Sequence, residues 1–167
     1  MFEFKRLSTS AIPSALAKAE RYRLLNEPDE AQSICEDVLH ADPTNVEAVR
    51  MLILALTDSF PHQDGKAVSR ARDLVAKLPS EYERAYFGGL VAERRARALL
   101  GKGSPGRALP AGDWLREAMK SFERAEAVKP ADNDDAVLRW NACARLFQRH
   151  PELMNTDEER TAPVMLE

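Results

Sequence analysis

Cysteine is nearly absent from this chain: Cys35 and Cys143 are its only two among 167 residues. That excludes a disulfide framework, and neither residue lies in a CxxC pair or a Cys/His cluster, which excludes the common structural zinc patterns. Both are expected to serve as small apolar core residues. Histidine is equally sparse; His40, His62 and His150 are scattered, and no HExxH spacing occurs. An excess of charge is missing too, since 24 basic and 27 acidic side chains leave a net charge of −3. No global field draws such a molecule to nucleic acid or to an anionic membrane, so neither is an expected partner. Long hydrophobic runs are missing as well. The longest, Met51 to Leu56, is far too short to span a bilayer, and residues 1–10 contain no apolar core of a secretory leader, so a cytoplasmic location is expected. Finally, no stretch alternates apolar and polar residues as a half-buried strand does.

What is present points to a folded helical chain. Hydrophobic residues make up 44% and charged residues 31%, values of a soluble globular protein long enough for one domain or one short repeat array. Helix starts are well marked. Thr44-Asn-Val-Glu47 and Ser80-Glu-Tyr-Glu83 both read as capping boxes, in which the hydroxyl accepts the backbone N–H three residues on and the glutamate reaches back. Each follows a proline, Pro43 or Pro79, that cannot extend the preceding helix.

These prolines introduce a period, for they stand 36 residues apart and each closes an amphipathic stretch. In the first unit Ala19 and Tyr22 share a helix, Asn26-Glu-Pro28 makes a turn, and Ala31, Cys35, Val38 and Pro43 follow. In the third, Gly88-Gly89 supplies the small residue and Ala118-x3-Phe122-x2-Ala125-x4-Pro130 the second half. The middle unit, with Leu52, Leu56, Ala67, Ala71, Leu74 and Pro79, is weaker. A fourth, incomplete unit begins at Trp140-x2-Cys143-Ala144-x2-Phe147. Over about 12–150 this resembles the tetratricopeptide repeat (TPR) family, with its small residue, aromatic, Ala-x3-Phe and closing proline. Small side chains let paired helices approach, and large ones fill holes in the neighbour.

The expected fold is therefore all-α, a TPR-type α-α superhelix of about three helix hairpins plus a C-terminal capping helix. Helices are predicted near 11–25, 28–42, 45–60, 65–78, 81–100, 113–129 and 135–149. Residues 1–10 form an N-terminal segment, 11–150 the repeat domain and 151–167 a flexible tail. Relative to the family's repeat length, the third unit carries an insertion of about 17 residues, expected as a loop near 101–112. Trp140 is expected to be a packed ring on the capping helix.

Catalytic chemistry is not evident. Gly101-Lys-Gly-Ser104 lacks both the spacing and the preceding strand of a phosphate loop. Asp132-Asn-Asp-Asp135 lacks the central glycine and terminal glutamate of an EF-hand loop and reads as acidic capping before the Trp140 helix. No enzyme activity, cofactor or metal is expected.

The resemblance implies a concave groove, lined by the first helix of each repeat, that holds a partner polypeptide. Carried onto this chain, the groove-facing positions are Leu16, Glu20, Arg23 and Leu24; Arg50, Leu54, Thr57 and Asp58; Tyr86, Leu90, Glu93 and Arg94; and Asn141, Arg145, Gln148 and Arg149. Leu16 and Glu20 stand where chaperone-binding members carry a lysine and an asparagine, which disfavours a chaperone-tail receptor. The expected function is a non-catalytic adaptor or scaffold that binds a protein or peptide. The alternative is a self-assembling scaffold that forms homo-oligomers. Beside the groove, Arg94, Arg95, Arg97, Lys102 and Arg107 fall within fourteen residues without an acidic side chain. This basic arm is expected to steer an acidic partner segment to one end of the groove, although arginines near a helix C-terminus also complement its dipole.

Overall fold

The computed structural model describes residues 2–62, 65–101 and 107–154. Over those residues the chain is all-helical, with seven α-helices and no strand: α1 (Ile12–Leu24), α2 (Pro28–Ala41), α3 (Val46–Ser59), α4 (Gly65–Val75), α5 (Glu81–Gly101), α6 (Ala108–Ala127) and α7 (Asp135–Arg149). Short 3-10 turns flank the array at Thr9–Ala11 and Pro151–Met154.

The punctuation follows local chemistry. Pro28 opens α2 at its first turn, where a missing N–H leaves no bond unmade. Before it, Asn26 adopts a left-handed φ of 60°, and the N–H of Glu27 reaches back to the Tyr22 carbonyl at 2.9 Å, closing the end of α1. The start of α3 differs from the expected capping box. Asn45, not Thr44, is the N-cap, accepting the Ala48 N–H at 2.9 Å, while the Thr44 hydroxyl donates to Asp42. The second box is half made: Ser80 Oγ accepts the Glu83 N–H at 3.0 Å, but the Glu83 carboxylate turns away to Arg50.

Each helix packs on the next, α1 also meets α3, and α3 also meets α5. Ion pairs then link the even-numbered helices, Arg70 of α4 to Glu36 of α2 and Arg72 of α4 to Glu117 of α6. Residues of the expected repeat pattern lie in the core. Ala19, Ala31, Cys35, Val38, Ala71, Ala118, Phe122 and Ala125 are fully buried. On α5 a Cβ at Gly89 would lie 2.5 Å from the Phe122 ring of α6, so glycine is what lets these two long helices close.

Three further expectations are corrected. Where it is described, the expected loop is largely helix: α6 begins at Ala108 rather than near 113, because Pro110 falls in its first turn and is tolerated there, and Gly112 lies within the helix. The part of the expected loop at 102–106 lies outside the described residues. The start of the expected flexible tail is docked, since Pro151–Met154 contacts α6 and α7 and buries Leu153 completely. Residues 155–167 lie outside the described residues. Trp140 is half-buried rather than enclosed, its indole N–H donating to Glu123 at 3.0 Å, while Cys143 and Leu146 form the buried stripe of α7.

Candidate functional site

The odd-numbered helices bring two arginine–carboxylate triads together. Arg23, near the end of α1, donates Nε to Asp58 Oδ2 on α3 at 2.7 Å, and Arg94 of α5 donates Nη1 to the other oxygen, Oδ1, at 3.0 Å. One carboxylate thus ties three helices. One turn further along α5, Arg97 donates Nε to Glu93 Oε1 at 2.9 Å, and Arg139 of α7 places Nη1 3.7 Å from the same oxygen.

Helical spacing explains the arrangement. Arg94 and Arg97 are three residues apart and therefore neighbours on one face of α5. Glu93 falls on the buried stripe with Leu90 and Ala96, and Arg139 on the stripe of α7 that runs from Ala136 to Cys143 and Leu146. Each is a charge where the apolar period calls for a core residue.

Glu93 is fully buried, and its Oε2 atom has no hydrogen-bond partner among the described residues. Leaving a buried polar atom unsatisfied costs on the order of 1–3 kcal/mol. What that carboxylate does is hold Arg97 and Arg139 at a cavity of about 600 Å³ lined by Arg23, Asp58, Arg94, Arg97, Arg139 and His62, among others. The volume is that of a small-ligand or peptide subsite. Among the described residues four guanidiniums face two carboxylates, an excess of two positive charges.

The groove positions read from the sequence divide. Arg23, Asp58 and Arg94 meet at the cavity, joined by Thr57 and by Arg97 of the expected basic arm. Leu16, Leu90 and Glu93 are buried core or floor rather than lining, because each lies on the inward stripe of its helix. Leu24 is exposed at the end of α1, away from the lining. Arg50 pairs with Glu83 of α5. Leu54 packs partly buried on the core of the third hairpin, and Tyr86 packs against Tyr82, with ring centroids 5.7 Å apart. From α7, Arg139 reaches the cavity where Asn141 and Arg145 do not. In the basic arm, Arg95 is half-buried on α5 and Arg107 stands at the N-cap position of α6 without a side-chain capping bond, neither lining the cavity, and Lys102 lies outside the described residues. Sequence reading missed Arg139 and His62. A signal existed for Arg139, an arginine inside an apolar stripe.

The two cysteines are buried, and desolvation pushes both thiols from 9.0 up to about 12. Among the described residues no group of three or more His, Cys, Asp or Glu is placed to hold a metal ion, and no helix is long and apolar enough to cross a membrane. Comparison with protein-family models, with curated proteins and with solved structures gave no match.

Proposed function

We propose that the chain is a TPR-type superhelical array acting in the cytoplasm as a non-catalytic adaptor, which binds a partner polypeptide on the face shared by α1, α3, α5 and α7. The observation that carries this reading is the convergence of Arg23, Arg94, Arg97 and Arg139, from three different odd-numbered helices, on one cavity. Side chains from successive repeats that meet at one opening suit an extended ligand crossing the repeats. The excess of positive charge there favours an acidic segment and speeds its encounter.

Retention of lysate proteins by immobilised wild-type chain, compared with Arg94→Glu/Arg97→Glu, tests the reading. Proteins held by the wild type and lost by the variant are expected, its folding checked by circular dichroism because Arg97 pairs with the buried Glu93; an unchanged set would reject this face. Light scattering separates the self-assembling alternative, under which the wild type would be oligomeric and the variant monomeric.

A further inference from the structure

Resting on the polypeptide-binding reading, we propose that the arginine cavity is a subsite for one doubly charged oxyanion, the phosphate group of a phosphorylated side chain on the partner.

The charge count comes first. Asp58 accepts from Arg23 and Arg94 on separate oxygens, and Glu93 takes both Arg97 and Arg139 on a single oxygen. Among the described residues each triad therefore retains one uncompensated positive charge. Arg94 and Arg97 bring these two charges together, since they are adjacent on one face of α5. A phosphate monoester carries close to two negative charges at neutral pH and several strong acceptor oxygens, and guanidinium is the group best matched to it in planar geometry.

Donor capacity comes second. A guanidinium has five N–H donors, and the ion pairs described occupy only part of each fork. His62 adds a ring on the cavity wall.

Preorganisation comes third. Glu93 is buried with one oxygen unpaired among the described residues, an arrangement that costs stability and fixes two of the four arginines. Asp58, with both oxygens paired, fixes Arg23 and Arg94. Two acidic side chains on adjacent residues carry the same total charge, but spread over two groups that diverge from the backbone. A single tetrahedral group concentrates it between Arg94 and Arg97.

Arginine Nε–H resonances, followed by NMR at constant ionic strength, test this with four probes: inorganic phosphate, O-phospho-L-serine, the peptide acetyl-Gly-phosphoSer-Gly-amide and the peptide acetyl-Gly-Glu-Glu-Gly-amide. Saturable shifts of Arg94 and Arg97 are expected with the phosphopeptide, at an affinity at least tenfold above that of the Glu-Glu peptide. Arg94→Gln and Arg139→Gln should each weaken phosphopeptide binding about tenfold. Asp58→Asn, which keeps the side-chain shape and removes a competing charge, should strengthen it severalfold, an effect a purely structural ion pair would not give. Absence of saturable shifts overturns the proposal, as does equal affinity for the Glu-Glu peptide. Tighter binding of inorganic phosphate than of both phosphoserine probes assigns the site to free phosphate and overturns the polypeptide source. None of these outcomes touches the wider polypeptide reading, which the Arg94→Glu/Arg97→Glu retention experiment decides separately.

Discussion

Arg139 of α7 lies 3.7 Å from the Oε1 atom of Glu93 on α5, and that carboxylate has no exposed surface. A buried charge held by partly exposed arginines adds little to stability, and an apolar side chain of similar volume commonly does as well or better. Glu93→Leu is therefore expected to leave thermal stability unchanged or raise it. Arg97→Leu, which removes the stronger partner and leaves the carboxylate buried, should cost about 1–3 kcal/mol. Chemical denaturation of the two variants checks the contrast; a larger loss from Glu93→Leu would show that the carboxylate serves folding.

The C-terminal turn rests on Gly112. A Cβ there would lie 2.4 Å from the Leu153 carbonyl oxygen, and Arg116 donates to the carbonyls of Leu153 and Met154 at 3.0 and 2.9 Å. Gly112→Ala should displace this turn. Alanine favours the helix by about 1 kcal/mol, so the net change in global stability should be small or destabilising by about 1–2 kcal/mol. Amide exchange at Leu153 should accelerate at least tenfold while the centre of α3 stays protected. Unaltered exchange at Leu153 would show that the turn does not depend on the glycine.

Much of this fold is legible in the residues themselves. Gly89 and Phe122 were readable as a small and a large member of one repeat, and they meet as a glycine against a ring. The prolines and the Asn26 turn placed most helix boundaries within a few residues. The start of α6 was expected near 113 and lies at Ala108; Pro110 falls in its first turn, where a proline is tolerated. The cavity was half legible. Arg23, Asp58, Glu93 and Arg94 were among the groove positions expected from the sequence, although Glu93 proves to be buried, whereas Arg139 needed a different inference, that opposite charges on two apolar stripes find each other. The docking of Leu153 has no local signal; it depends on a surface on α6 that exists only once the array is built.

Cys35 and Cys143 give a pH-dependent prediction. Desolvation raises both thiols to about 12 in the folded state, against an ordinary value of 9.0. The folded chain thus keeps protons that the unfolded chain gives up above about pH 9. The contribution is fully present below pH 9 and is lost as pH rises towards 12. Denaturation of wild type and of Cys35→Ala should show a steeper alkaline loss in the wild type. Iodoacetamide at pH 8 should label the native protein far more slowly than the unfolded chain, and rapid labelling of either thiol under native conditions would contradict its burial.

The central claim, that a polypeptide docks on the side of α1, α3, α5 and α7, is tested most directly by a photo-crosslinking residue placed at single sites in the intact chain. Asn26 and His62 line the cavity between these helices, and Asp73 lies in a surface hollow lined by residues of α2, α3 and α4. The account predicts a discrete crosslinked polypeptide from Asn26 and from His62, absent from Asp73 and lost when Arg94→Glu/Arg97→Glu is introduced alongside. Equal crosslinking from Asp73, or crosslinks at Asn26 and His62 that survive the charge reversal, would contradict it.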